Sequence, residues 1–301
     1  MKILKPVQIV DANFISSTVA EPYATETAWS AGTSYTVGTR AIRTTTHRVY
    51  RNLIAGVNAT VPESAPDRWF DEGPTNKWAW ADTEVSTPTQ STSPYQQVVR
   101  PGAISDVAIF GMENVSSVQV EVWDSPGGSL LFDTTVSAEF WGNGDPYVSY
   151  YFDTPYFRNK LIVSGLPADT TCEVRTTLTS ALSSMSFGLI AYGRFTDLGC
   201  SEFGFSASPV DYSRIKIDDY GNNYIVKGKR ARDLSGVVRM PVESANSIVE
   251  TIDRLLGTPL LAVTTDNPAL DYLNSFGLVS CRASADGPNE ARLQFDMKGL
   301  I

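Results

Sequence analysis

From Tyr95 to about Leu198 the chain is a series of short runs rich in β-branched and aromatic residues, many alternating apolar with polar. Val107–Phe110, Val118–Trp123, Leu130–Phe132, 147–152, Lys160–Val163, 172–176 and Phe187–Tyr192 are the candidates. Ser125-Pro-Gly-Gly128, Gly142-Asn-Gly-Asp145 and Gly165-Leu-Pro167 separate some of them with the residues that turns require. About seven or eight short strands at this spacing predict a β-sandwich of jelly-roll type over 95–198. The period changes once. Over 241–256, Val242, Ala245, Ile248, Val249, Ile252, Leu255 and Leu256 recur at helical spacing, which predicts one helix with an apolar face against a sheet. Pro241 suits its first turn, Glu243 the positive end of its dipole, and Gly257-Thr-Pro259 its stop.

Around that helix, 199–301 again reads as strands. A hairpin is expected from Ser213–Asp218 and Asn223–Lys227 about the turn 219–222, with later strands at 260–264, 276–280 and 291–297. Residues 1–26 form an N-terminal arm that opens on a strand-like segment, Ile3, Val7 and Ile9. Residues 83–94, rich in Ser, Thr and Pro, read as an extended linker.

Residues 27–82 form a separate small β module. Four of the six tryptophans lie there, Trp29, Trp69, Trp78 and Trp80, among Gly and Pro punctuation. A module this small buries too little aliphatic surface, so large rings must supply its core. The order Trp29, Tyr35-Thr-Val-Gly38, Val49-Tyr50, Pro62, Trp69-Phe-Asp-Glu-Gly73 resembles the small chitin- and cellulose-binding modules of secreted glycosidases. The ending Gly73-Pro-Thr-Asn-Lys-Trp-Ala-Trp-Ala-Asp82 is similar to the variant of that module in bacteriophage tail proteins. The resemblance implies that Trp29, Tyr35, Tyr50 and Trp69 are core. It also implies that the sugar-stacking aromatic pair is missing, because Ile54 and Ala55 occupy its places. Trp78 and Trp80 alternate with Lys77 and Ala79, which predicts both rings on one face of an extended segment. There they offer two roles, a glycan platform or a seal against a neighbouring subunit, and the seal is the preferred expectation. By pattern order, 199–301 resembles the tail-tube-type fold of phage ring proteins, including the distal tail protein.

Net charge and composition narrow the partners. A formal charge of −9 without any basic run argues against nucleic acid. No apolar stretch reaches the roughly 20 residues of a spanning helix, so no membrane insertion is expected. The start, with Pro6 and Asp11 breaking its apolar run, lacks the pattern of a secretory signal, so folding in a cytoplasm is expected. The Asn58 and Asn114 acceptor motifs then carry no weight. Cys172, Cys200 and Cys281 form no close pair and are expected as buried free thiols.

Nothing in the chain spells a catalytic set. The single histidine, His47, lacks nameable partners and is expected on a strand surface. No nucleophile elbow or phosphate loop occurs. Asp67, Asp71, Glu72, Asp145, Asp153, Asp218 and Asp219 are turn carboxylates of the kind glycoside hydrolysis uses in pairs, and a chain with 33 acidic residues always offers such pairs. Asp218–Asn222 and Asn143-Gly-Asp145 have turn oxygens but not a full calcium-loop spacing, so solvated turns are expected. No cofactor, no metal and no enzymatic activity are expected.

The resulting expectation is a mainly β structural component of a phage tail, as tail tip, baseplate or adaptor ring. It is made in the host cytoplasm and resides in the virion, with copies of itself and other tail proteins as partners. The competing expectation is a carbohydrate-binding or host-attachment protein with a surface glycan as partner. A glycan-cleaving enzyme with a hidden carboxylate pair is the third.

Overall fold

The computed structural model describes residues 1–140, 156–218, 221–265 and 267–300. The strand expected at 147–152, the Asn143–Asp145 turn, and Asp153 and Asp219 lie outside the described residues. The chain is mainly β, 48% strand, with one α-helix among the described residues. It divides into two compact units, Met1–Val7 with Tyr192–Ile301, and Gln8–Ala191.

The first unit is an eight-stranded antiparallel sheet. Its main path runs Phe195–Asp197, Lys2–Leu4, Leu260–Val263, Ser275–Ala285, Glu290–Gly299, Arg230–Pro241, Cys200–Ser201. Ser206–Asp211 also pairs along Arg230–Pro241. The strand expected at the chain's start is therefore no free arm. It is shorter than expected and sits inside this sheet, with Ile3 and Leu4 buried.

The helix spans Val242–Leu255, with Pro241 extended at its N-cap, Glu243 in its first turn and Arg254 in its last. Those charges complement the helix dipole. Ile248 and Ile252 enter the core with Leu234, Val238, Leu293 and Phe295. Each such burial stabilises by about 1.5–3 kcal/mol. The apolar stripe is narrower than its sequence pattern, because Val242 and Leu256, at the two ends, are exposed.

From this sheet's connections projects a two-stranded hairpin, Arg214–Ile217 paired with Asn223–Val226, with Ile215 opposite Ile225 and Lys216 opposite Tyr224. All eight residues are exposed. Asp218 closes its turn by accepting from the backbone and side-chain N–H of Asn222 at 2.7 and 2.9 Å.

The second unit holds a five-stranded sheet in the order Leu130–Ser137, Ser117–Trp123, Glu173–Thr179, Tyr95–Val99, Phe14–Ser17. Strict alternation along Ser117–Trp123 buries Val118, Val120 and Val122 on one face. A three-stranded sheet, Lys160–Ser164, Asp106–Phe110, Leu189–Gly193, has its central strand buried throughout. The expected linker is also part of this unit. Thr89–Ser91 pairs with Met185–Phe187, and both Thr89 and Ser91 are buried. Its polar composition signals satisfied hydrogen bonds here: the backbone N–H of Trp80 donates to Thr89 Oγ1 at 3.0 Å.

Candidate functional site

The module folds as a three-stranded sheet, Arg40–Arg43, Arg48–Asn52 and Trp69–Pro74, beside the small pair Ser34–Tyr35 and Gly56–Val57. One face carries the core: Tyr35, Ala41, Tyr50 and Trp69 pack together, with Trp29 half-buried against them. Tyr35 meets Trp69 edge-on at 5.1 Å, the arrangement aromatic quadrupoles favour. Asn52, fully buried where the resembled family has a small residue, donates from Nδ2 to the carbonyls of Tyr35 and Thr36 at 3.2 and 3.0 Å. It locks the two small sheets together.

The opposite face is charged and grooved. Alternation along Trp69–Pro74 turns Trp69 inward and Phe70 outward, leaving Phe70 52% exposed. A groove of about 720 Å³ opens beside it, with Ile42 and Val49 in its wall and Glu26, Arg40, Asp71 and Glu72 supplying charge. Glu72 receives two arginines, Arg40 at 2.6 Å and Arg51 at 3.1 Å. Arg51 also lies over the Phe70 ring at 5.4 Å, and Arg48 is paired with Asp71 at 2.9 Å. The groove thus joins a ring face and aliphatic wall to fixed donors and acceptors, the combination a polar ligand with apolar faces can use. Sequence reading missed this site. Its signal was present in the outward register of Phe70 and in the arginines Arg40, Arg48 and Arg51 carried by the paired strands.

His47 is not on a strand surface. It occupies the turn between Arg40–Arg43 and Arg48–Asn52 with a positive φ of 54°, and its ring is held on both edges. Nδ1 faces Glu21 at 2.9 Å and Nε2 faces Asp11 at 2.9 Å. Glu21, nearly buried, also accepts from Thr75 Oγ1 at 2.7 Å, and Trp78 stacks on the imidazole at 4.5 Å. These partners come from three stretches far apart in sequence, which is why His47 looked partnerless. The cluster clamps 11–21 onto the module.

The segment carrying Trp78 and Trp80 is a 3-10 turn, Ala79–Ala81, rather than extended chain. Trp78 is 8% and Trp80 0% exposed. Both rings face Phe14, at 4.9 and 6.3 Å. They are neither a glycan platform nor a subunit seal. Helical spacing lets two rings one residue apart fold around a single partner, where an extended chain would have presented them side by side.

Other sequence candidates separate. Asp71 and Glu72 come together at the groove, whereas Asp218 closes the hairpin turn. Among the described residues no group of three His, Cys, Asp or Glu is placed to hold a metal ion. Asp82, half-buried, accepts from the Glu84 N–H at 2.8 Å and from Thr87, and burial pushes its pKa from 3.8 to about 6. Burial raises the thiols of Cys172 and Cys281. Cys200, expected buried, is exposed because its two-residue strand lies at the end of the sheet's main path. Among the described residues no helix is long and apolar enough to cross a membrane. No family model, curated protein or solved structure matches the chain.

Proposed function

We propose that this chain is a structural, non-enzymatic component of a bacteriophage tail that assembles as a homo-oligomeric ring and displays its other β domains outward. The observation that carries the reading is the first unit: an eight-stranded antiparallel sheet packed by one helix, with a hairpin projecting from its connections. Short strands such as Phe195–Asp197 and Cys200–Ser201 lie at the ends of its path, and the edge of a sheet is where pairing with another chain takes place. In this reading the virion is its location and other tail proteins flank the ring. Two measurements test it. Light scattering on the purified chain is expected to give a multi-copy mass, and immunogold labelling of tailed particles from the source culture is expected to mark the tail tip or baseplate. Label confined to capsids, or absent from intact particles, overturns the reading.

One observation favours a second reading, a surface glycan held in the module's groove. Phe70 presents a ring beside paired Arg and Glu side chains, which suits stacking on a pyranose face with hydrogen bonds at its hydroxyls. A glycan array with wild type and Phe70→Ala decides it. A signal that disappears in the variant supports sugar binding, and no signal from the intact chain removes it.

A further inference from the structure

The chain's single histidine stands between two carboxylates. Glu21 faces Nδ1 of His47 with both oxygens, at 3.0 and 2.9 Å, and Asp11 faces Nε2 at 2.9 Å. A neutral imidazole has one N–H and one lone pair, so it can donate to only one of them. The imidazolium donates to both. Burial sets which arm lets go. The Glu21 side chain is 5% exposed and also accepts from Thr75 Oγ1 at 2.7 Å, so the one hydrogen of a neutral ring stays there. The Asp11 side chain is 71% exposed and can turn to water. Charged side chains on the elements around the ring are engaged elsewhere. Arg48, the next residue, pairs with Asp71, Lys77 lies over the Phe14 ring at 5.2 Å, and Glu26 accepts from the backbone N–H groups of Tyr23 and Asn76.

Asp11 opens a tied turn. The N–H groups of Asn13 and Phe14 donate to the Val10 carbonyl at 3.0 and 3.1 Å, and the Arg100 N–H donates to the Asn13 carbonyl at 2.7 Å. Phe14 begins the last strand on the path of the five-stranded sheet and lies against Trp78, the ring stacked on His47. We propose that His47 is a proton-operated latch: the imidazolium holds the turn 11–13, and Phe14 with it, against the module, and the neutral ring releases them. Asp82 acts in the same direction. It follows the turn that carries Trp80, and burial raises its pKa to about 6, so its charge enters there as pH rises. Both groups favour the closed joint in acid. The closed joint is weakened as pH rises across the interval of about 5 to 8 in which imidazoles change charge.

The latch is independent of the tail and glycan readings, and two measurements on the full-length chain test it. With no second imidazole in the chain, the ring signals in nitrogen-15 NMR belong to His47 alone. At about pH 5.5 both ring nitrogens should carry a hydrogen, and at about pH 8 only Nδ1 should. The second measurement is hydrogen exchange at the Phe14 and Thr18 amides, which donate to the Val10 and Gln96 carbonyls. Taking the rate as a ratio of wild type to Asp11→Asn at each pH cancels the intrinsic pH dependence of exchange. Asparagine accepts from the imidazolium and donates to the lone pair of the neutral ring, so that variant stays latched throughout. The ratio should be about 1 at the lower pH and about two to five at the higher, the size of an ion pair with one exposed arm. His47→Asn, a residue that tolerates the positive φ of this position, should exchange faster than Asp11→Asn at both values. A flat ratio, a ring with one hydrogen at the lower pH, or a His47→Asn chain as protected as Asp11→Asn would each overturn the proposal.

Discussion

Trp69 illustrates what single residues contribute to a module this small. Its ring is buried against Tyr35, Ala41 and Tyr50, and no other large ring in that cluster is as fully covered. Trp69→Ala is expected to cost about 3–5 kcal/mol, the range for deleting a buried large aromatic. Denaturant melts of the intact chain, read by fluorescence of the remaining tryptophans, measure it; an unchanged midpoint would mean the ring is not structural. Asp82 makes a prediction about pH. Its folded pKa of about 6 lies above the ordinary 3.8, so between those values the folded chain holds a proton that the unfolded chain has released. Stability from this group is therefore full below about pH 4 and is lost as pH rises through about 6. The loss amounts to at most about 3 kcal/mol, less where water reaches the carboxyl. Asp82→Asn keeps an acceptor for the Glu84 N–H and removes the charge. It should be more stable than wild type at pH 7 and converge with it near pH 4. Equal differences at both values would show that burial of Asp82 carries no penalty.

At the scale of elements, much of the strand pattern was legible and its partnerships were not. Alternation and turn residues located Ser117–Trp123, the hairpin at 214–226 and the helix within one or two residues of their observed bounds. Those signals are local. The roles of Trp78 and His47 depended on Phe14, Glu21 and Asp11, which lie tens of residues away, and no spacing rule reaches that far. The Ser/Thr/Pro stretch misled for a related reason, since composition reports an inability to build an apolar core but says nothing of backbone pairing. Gly188 tests how tightly that stretch is held. A Cβ there would meet the Val85 carbonyl oxygen at 2.1 Å, and that contact is backbone against backbone. Gly188→Ala is expected to destabilise by about 1–3 kcal/mol or more, the cost of overpacking. Proteolysis within 83–94 should then become faster. An alanine variant with wild-type melting and cleavage would mean that 83–94 is the free linker its composition suggests.

At the scale of the whole molecule, the chain leaves the first unit and returns to it. Lys2–Leu4 lies between Phe195–Asp197 and Leu260–Val263, so the sheet's continuity depends on a strand contributed from the far end of the sequence. Residues 199–301 look self-sufficient by pattern, yet alone they would expose the edge of Leu260–Val263 and lack Ile3 beside Leu260 and Ala262 in the core. The return point is narrow: the Val7 N–H donates to the Tyr192 carbonyl at 2.7 Å. Two backbone positions this close can be joined by a loop of about 2–5 residues. Replacing residues 8–191 with a short Gly-Ser loop is therefore expected to leave a chain that folds and shows a single cooperative melt. Residues 199–301 expressed alone should instead aggregate or remain unfolded. Circular dichroism and light scattering on the two chains decide the matter. A folded 199–301 beside an unfolded loop-joined chain would mean that the first seven residues are dispensable, and that the sheet closes without the strand the chain returns to meet.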